Sequence, residues 1–268
     1  MAVAEGAVCS ADGTRIGFRR LGSGPGVVFV HGSVSTHTDW MPVAKLLADH
    51  FTCFAIDRRG RAKSGEGVGP YSIEREYEDI EAVLDAAKTA TGSDAALVAH
   101  SFGAICALGA AMRHPVARLV LYEPPFPVGG LIAGENLAPY ARALADGDPD
   151  RALELGLASF PRMPAAAIIK LRTSRAWPHL RTLAKSWIRE LEAKDALSAD
   201  VEEYRALSCP SMLLMGSLSP EHPMQDASRA LAEVLPGVRV EPLLGQGHGA
   251  MRMAPEMVAR LIREFLAG

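Results

Sequence analysis

The chain has 268 residues, 49% of them hydrophobic and 22% charged, with a formal net charge of -3. That balance fits one large or two small globular domains and excludes wholesale disorder. The mild negative charge also excludes the strong excess of Lys and Arg that holds a protein on nucleic acid.

The first third alternates β and α signals. Two short strand-like runs flank the turn Ala11-Asp12-Gly13 within residues 7–22, and Gly26 to His31 reads as a buried strand closed by Gly32. A short helix near Trp40 to Ala48 precedes the strand Thr52 to Asp57. Next comes a loop rich in Gly and Arg, then a helix whose Ile73, Tyr77, Ile80, Leu84 and Ala87 recur at helical spacing. Asp94 to Ala99 is a strand, Ser101 to His114 a helix, and Arg118 to Tyr122 another strand. Such alternation implies a mostly parallel sheet covered on both faces. About eighty residues after Pro124 then pass without a strand signal, and Leu180, Leu183, Ala184, Trp187, Ile188 and Leu191 form one apolar stripe. The alternation resumes with strand Ser211 to Gly216, a helix near Gln225 to Leu235, strand Val238 to Leu243 and a last helix from Pro255. The expected division is a core of residues 1–125 and 206–268 interrupted by a helical cap of residues 126–205.

Three loops carry chemistry. Ala99-His100-Ser101-Phe102-Gly103 lies where a strand gives way to a helix. A nucleophilic serine needs a sharp turn there, which tolerates only small residues two positions to either side. Gly245-Gln246-Gly247-His248-Gly249 follows the last strand and offers a general base. His31-Gly32-Ser33 follows the third strand, where the backbone N–H groups of Ser33 and Phe102 can face a developing oxyanion. All three sit at the carboxyl edge of the expected sheet, where open α/β sheets bind ligands.

These motifs, in this order, resemble the α/β-hydrolase superfamily over essentially the whole chain. Further matches are Asp57-Arg58-Arg59-Gly60 and the helical insertion after Arg118 to Glu123. The resemblance implies an α/β-hydrolase fold, with an eight-stranded, mostly parallel sheet and a cap over its catalytic edge. In most members the triad acid stands three residues after the glycine that closes the strand Ser211 to Gly216; here that residue is Ser219. Some members carry the acid at the end of the strand before the cap, which in this chain is Glu123. A carboxylate there, followed by Pro124 and Pro125, can orient the second nitrogen of His248. Glu123 is therefore assigned as the acid, with Glu221 and then Asp226 as competitors.

The expected activity is hydrolysis of an ester or lactone of an apolar small molecule through an acyl-enzyme on Ser101, without metal or cofactor. The alternative is a ligand-binding or biosynthetic protein of the same fold, ring-forming or cleaving thioesters or C–C bonds, with little esterase turnover. Gly32, Trp177 and Met251 are expected to contact substrate, while Trp187 is expected to fasten the cap. The basic run Arg58, Arg59, Arg61 and Lys63 reads as a solvated loop. Cys9, Cys53, Cys106 and Cys209 show no metal-ligand spacing and read as buried hydrophobes in a reducing compartment. The first ten residues lack a basic start and an apolar stretch, so no signal peptide is expected. The apolar run from Ala95 is broken by His100, Ser101 and Gly103, which does not suit a membrane span. A cytoplasmic protein without membrane or nucleic-acid partners is expected, with oligomeric state left open, a homodimer included.

Overall fold

The computed structural model describes residues 2–268. Strands β1 (Ala4–Cys9) and β2 (Arg15–Leu21) form an antiparallel hairpin at one edge of the sheet. Strand β3 (Gly26–Val30), helix α1 (Met41–Leu47), strand β4 (Thr52–Ile56), helix α2 (Ile73–Thr91), strand β5 (Ala96–His100), helix α3 (Phe102–Ala111) and strand β6 (Leu119–Tyr122) follow in turn. Helices α4 (Leu137–Ala145), α5 (Pro149–Ser159), α6 (Ala165–Arg172) and α7 (Trp177–Asp195) make up the strandless segment. Strand β7 (Ser211–Gly216), helix α8 (Asp226–Val234), strand β8 (Arg239–Leu243), the short helix α9 (Ala250–Met253) and helix α10 (Pro255–Ala267) complete the chain.

The eight strands form one sheet in the order β1-β2-β4-β3-β5-β6-β7-β8. β2 pairs antiparallel with β4, and every later pairing is parallel. Every residue of β3, β4, β5 and β6 is buried, as strands covered on both faces must be. Side chains alternate between faces. Val28, Val30, Phe54 and Leu97 enter the core under α2 and α3, whereas Val27, Phe29, Cys53 and Val98 enter the core under α1 and α10. A third apolar cluster lies inside the helical segment, built on Tyr140, Leu153, Phe160, Trp177 and Trp187. Tyr140, Phe160 and Trp187 meet edge to face with centroids 5.3 to 5.7 Å apart, the geometry that aromatic quadrupoles favour. Among the described residues, no helix is long and apolar enough to cross a membrane. Cys53 and Cys106 are buried, but Cys9 is exposed at the edge strand, a departure from the expectation for the cysteines.

Candidate active site

The turn between β5 and α3 places Ser101 in a backbone conformation that L-residues rarely adopt, with φ 54° and ψ -129°. Strain of this kind survives only where the surroundings over-determine it. Here the Ser101 N–H donates to the Tyr122 carbonyl at 2.9 Å, and the Ser101 carbonyl accepts from Ala104 at 2.8 Å. A Cβ on Gly103 would stand 2.3 Å from the His31 carbonyl oxygen, so the close passage of the two loops requires glycine. Phe102 opens α3, and its N–H is among those a helix leaves without an internal acceptor.

Glu123, at the end of β6, also has a positive φ, 47°. This twist turns its fully buried carboxylate toward β7 and the loop after β8. Oε1 accepts from the Gly216 N–H at 2.6 Å, and Oε2 lies 2.6 Å from His248 Nδ1. With Nδ1–H donating to the carboxylate, Nε2 of His248 is the bare nitrogen able to take a proton. The His248 loop is tied down from several sides. Its main-chain carbonyl accepts from His100 Nε2 at 2.8 Å, the Tyr122 hydroxyl donates to Gly247, and the Leu218 N–H donates to Gln246 at 2.9 Å. Burial, reinforced by the neighbouring His248, holds His100 well below the usual histidine range, so His100 is neutral at pH 7. Ser101 and His248 line one cavity of about 520 Å³, but no hydrogen bond joins them. Catalytic hydrogen bonds are often long before a ligand is bound.

The competing carboxylates face elsewhere. Glu221 is exposed and paired with Arg229. Asp226 accepts from His222 Nδ1 at 2.6 Å. Ser219, at the position most relatives give to the acid, lines the cavity with its hydroxyl buried and unpartnered.

Several expectations about the cavity wall are corrected. Trp177 is buried within the cap's own core, its indole N–H donating to Asp150 at 2.6 Å, and it does not line the cavity. Trp187 does, because Leu180, Trp187 and Lys194 recur every seven residues on the face of α7 that looks into the cavity. Met251 is fully buried in the core with Val258 and Ile262, while its neighbours Arg252 and Met253 reach the cavity. Consecutive helical residues diverge by about 100°, so the three cannot share one direction. Gly32 is not on the wall either: a Cβ there would meet Ser101 Cβ at 2.9 Å, so its role is to admit the turn that carries the serine. Ser33 is on the wall, as is Val34 with φ 49°, a residue that no sequence signal singled out.

The basic run is not a solvated loop. Arg58 and Arg61 are buried and share the carboxylate oxygen Oε1 of Glu190 on α7, with Arg58 at 2.7 Å. Arg58 also binds Glu76 through two nitrogens, at 2.6 and 3.0 Å, and donates to the Gly32 carbonyl at 3.2 Å. Arg59 makes a two-point contact with Asp79 at 2.7 and 2.8 Å. Burial would push the Glu190 carboxyl up, but Arg58 and Arg61 outweigh it and hold Glu190 below the usual carboxylate range. Of the four basic residues only Lys63 is substantially exposed. His31 joins the cluster as a neutral base, driven well below its ordinary range by burial and by Arg58 and Arg61. It bonds the Gly32 carbonyl through Nδ1 at 2.8 Å and accepts the Arg58 N–H on Nε2 at 3.1 Å. One arginine thus touches the loop bearing Ser33, the core helix α2 and the cap helix α7.

A family model described as the alpha/beta hydrolase family matches residues 27–261. The chain belongs to this family. Among curated proteins it is similar to 2-(acetamidomethylene)succinate hydrolase of Mesorhizobium japonicum, 28% identical over 257 residues that span 92% of this chain and 90% of that protein. Among solved structures, an alpha/beta hydrolase from Sphaerobacter thermophilus superposes with a TM-score of 0.85 at 31% identity, covering 97% of this chain and 100% of that one. An enol-lactonase from Burkholderia xenovorans shares the fold at a TM-score of 0.77 and 22% identity, over 98% of this chain and 100% of that one. The expected eight-stranded α/β-hydrolase fold is therefore correct, and hydrolase chemistry is the family's common ground.

Proposed function

We propose that this hydrolase cleaves an ester or lactone through an acyl-enzyme on Ser101. The observation that carries the reading is the 2.6 Å contact between Glu123 Oε2 and His248 Nδ1, with His248 and Ser101 on the wall of one cavity. In the first step His248 Nε2 takes the Ser101 proton as Oγ attacks the carbonyl carbon. The oxyanion is held by the Ser33 and Phe102 N–H groups. Buried Glu123 keeps the imidazole in the required tautomer and stabilises its cationic form. Collapse of the intermediate transfers the proton to the leaving oxygen. Water activated by the same histidine then releases the acid, so no metal or cofactor enters the step. For a lactone the leaving oxygen stays attached, and the product is a hydroxy acid.

A relative that acts on a succinate derivative, and a fold neighbour that acts on an enol-lactone, support small carbonyl substrates over polymers. The rival reading is a protein that binds or is acylated by its ligand without turnover, or that cleaves a thioester or C–C bond. A fluorophosphonate probe combined with a panel of 4-nitrophenyl esters and lactones separates them. Labelling of Ser101 with steady hydrolysis supports the proposal, labelling without release supports the rival, and absence of labelling on a folded protein overturns both. A cytoplasmic protein acting on a diffusible small molecule is the setting this reading implies.

A further inference from the structure

Lys194, near the end of α7, lines the same cavity as Ser101 and His248 although it is only 3% exposed. Its Nζ lies 5.6 Å from the centroid of the Phe102 ring, next in sequence to the serine. Among the described residues its ammonium makes no ion pair and no hydrogen bond. The carboxylates nearest in sequence hold other partners, although Oε2 of Glu190 accepts no hydrogen bond. Glu190, one turn earlier, is shared between Arg58 and Arg61. Asp195 accepts the backbone N–H groups of Ile132, Ala133 and Gly134 at 2.7, 3.0 and 2.8 Å. The two arginines of the buried network are balanced by Glu76 and Glu190, and Lys194, although Glu190 and Asp195 favour its charge, is in ion-pair contact with neither. A second donor shares its face of the helix: Trp187 also lines the cavity, and its indole N–H is buried without an acceptor.

A buried cation without a partner is costly, and a pair of unpartnered donors on one cavity wall is a site that lacks its acceptor. We propose that Lys194 binds a carboxylate of the substrate, with the Trp187 N–H two turns earlier on the same wall as a further donor, so that the preferred ester or lactone has an apolar body and one acidic end. This inference rests on the reading of the cavity as the substrate site and refines the expected apolar ligand. The carboxylate would lie at the α7 wall while the scissile carbonyl lies at Ser101, which fixes the direction in which the substrate enters.

The test is binding to the whole chain carrying Ser101→Ala, measured by calorimetry with monomethyl adipate and with dimethyl adipate. The monoanion should bind at least about tenfold more tightly, the usual scale for a hydrogen bond to a charged group in a desolvated site. Adding Lys194→Met should bring the two affinities within about twofold, and Lys194→Arg should retain part of the preference. Equal affinities before Lys194 is altered overturn the inference even if Lys194→Met does not fold. A preference that survives Lys194→Met in a folded protein also overturns it and moves the anion to Arg162 or Arg252, which line the same cavity. Because nothing here depends on turnover, a failure of the serine mechanism appears separately, as absence of fluorophosphonate labelling of Ser101.

Discussion

The sheet and the helical segment α4 to α7 hold their cavity-lining side chains by different forces. At the sheet's carboxyl edge, Ser101, Glu123 and His248 sit on strained or tight turns held by bonds between elements, such as Ser101 N–H to Tyr122 at 2.9 Å and Glu123 to Gly216 at 2.6 Å. The cap instead has its own apolar cluster, and a buried ion network runs through Arg58 and Arg61 to Glu190. Hydrogen bonds from fixed strands define positions to a fraction of an ångström, which acyl transfer needs. Apolar packing tolerates changes of shape, so on the proposed reading the helical segment can be rebuilt for another substrate while the chemistry at the sheet edge stays put.

The comparison breaks most severely at the serine. Ser101→Ala should lower kcat for 4-nitrophenyl butyrate by about 10⁵-fold or more while leaving the melting curve nearly in place. Glu123→Gln comes next, with a loss of about 10⁴-fold because the amide holds the wrong imidazole tautomer. Glu221→Gln, whose carboxylate faces solvent and Arg229, should change kcat less than about twofold; the opposite ranking would remove Glu123 from the triad.

The cap side is tested by Glu190→Gln, which leaves Arg58 and Arg61 facing each other with one carboxylate fewer. A loss of about 3 to 5 kcal/mol in denaturant unfolding is expected, as for other broken buried pairs. Glu66→Gln removes an exposed partner of Arg189, the residue before Glu190 on α7, and should cost less than about 1 kcal/mol. Similar losses in the two variants would mean that the buried network does not fasten the cap.

A pH dependence is expected as well. Burial, opposed by Glu190 and Asp195 on its own helix and aided by Arg58, brings the Lys194 ammonium down to about 8; Cys106 of α3 also faces it. Raising the pH through 8 should erase the preference for an acidic over a neutral ligand, read as the affinity ratio of monomethyl to dimethyl adipate on Ser101→Ala. The accompanying stability change has a definite sign. Between about 8 and the ordinary lysine value near 10.4, the unfolded chain holds a proton that the folded chain has released, so Lys194 makes stability rise with pH there. A ratio that stays constant from pH 7 to 9.5 would place the anion elsewhere.

What could be read from the sequence were features set by neighbours in the chain. The change from strand to helix period, the small residues around Ser101 and the glycines around His248 are local requirements of a turn, so the fold and the three loops were legible. Glu123 was legible as a candidate because two prolines follow it at a strand end, but its contact with His248 joins residues 125 positions apart. The arginine loop was misread for the same reason. Nothing near Arg58 signals burial, because the charges that neutralise it come from Glu76 and Glu190, which only the folded chain brings to it. Likewise the apolar residues of α7 indicate a buried face but not whether a given one meets only the helical segment's core, as Trp177 does, or the cavity as well, as Trp187 does. Local sequence determines which way the backbone turns; which side chains share a cavity, and which charge is left without a partner, depends on packing between segments far apart in the chain.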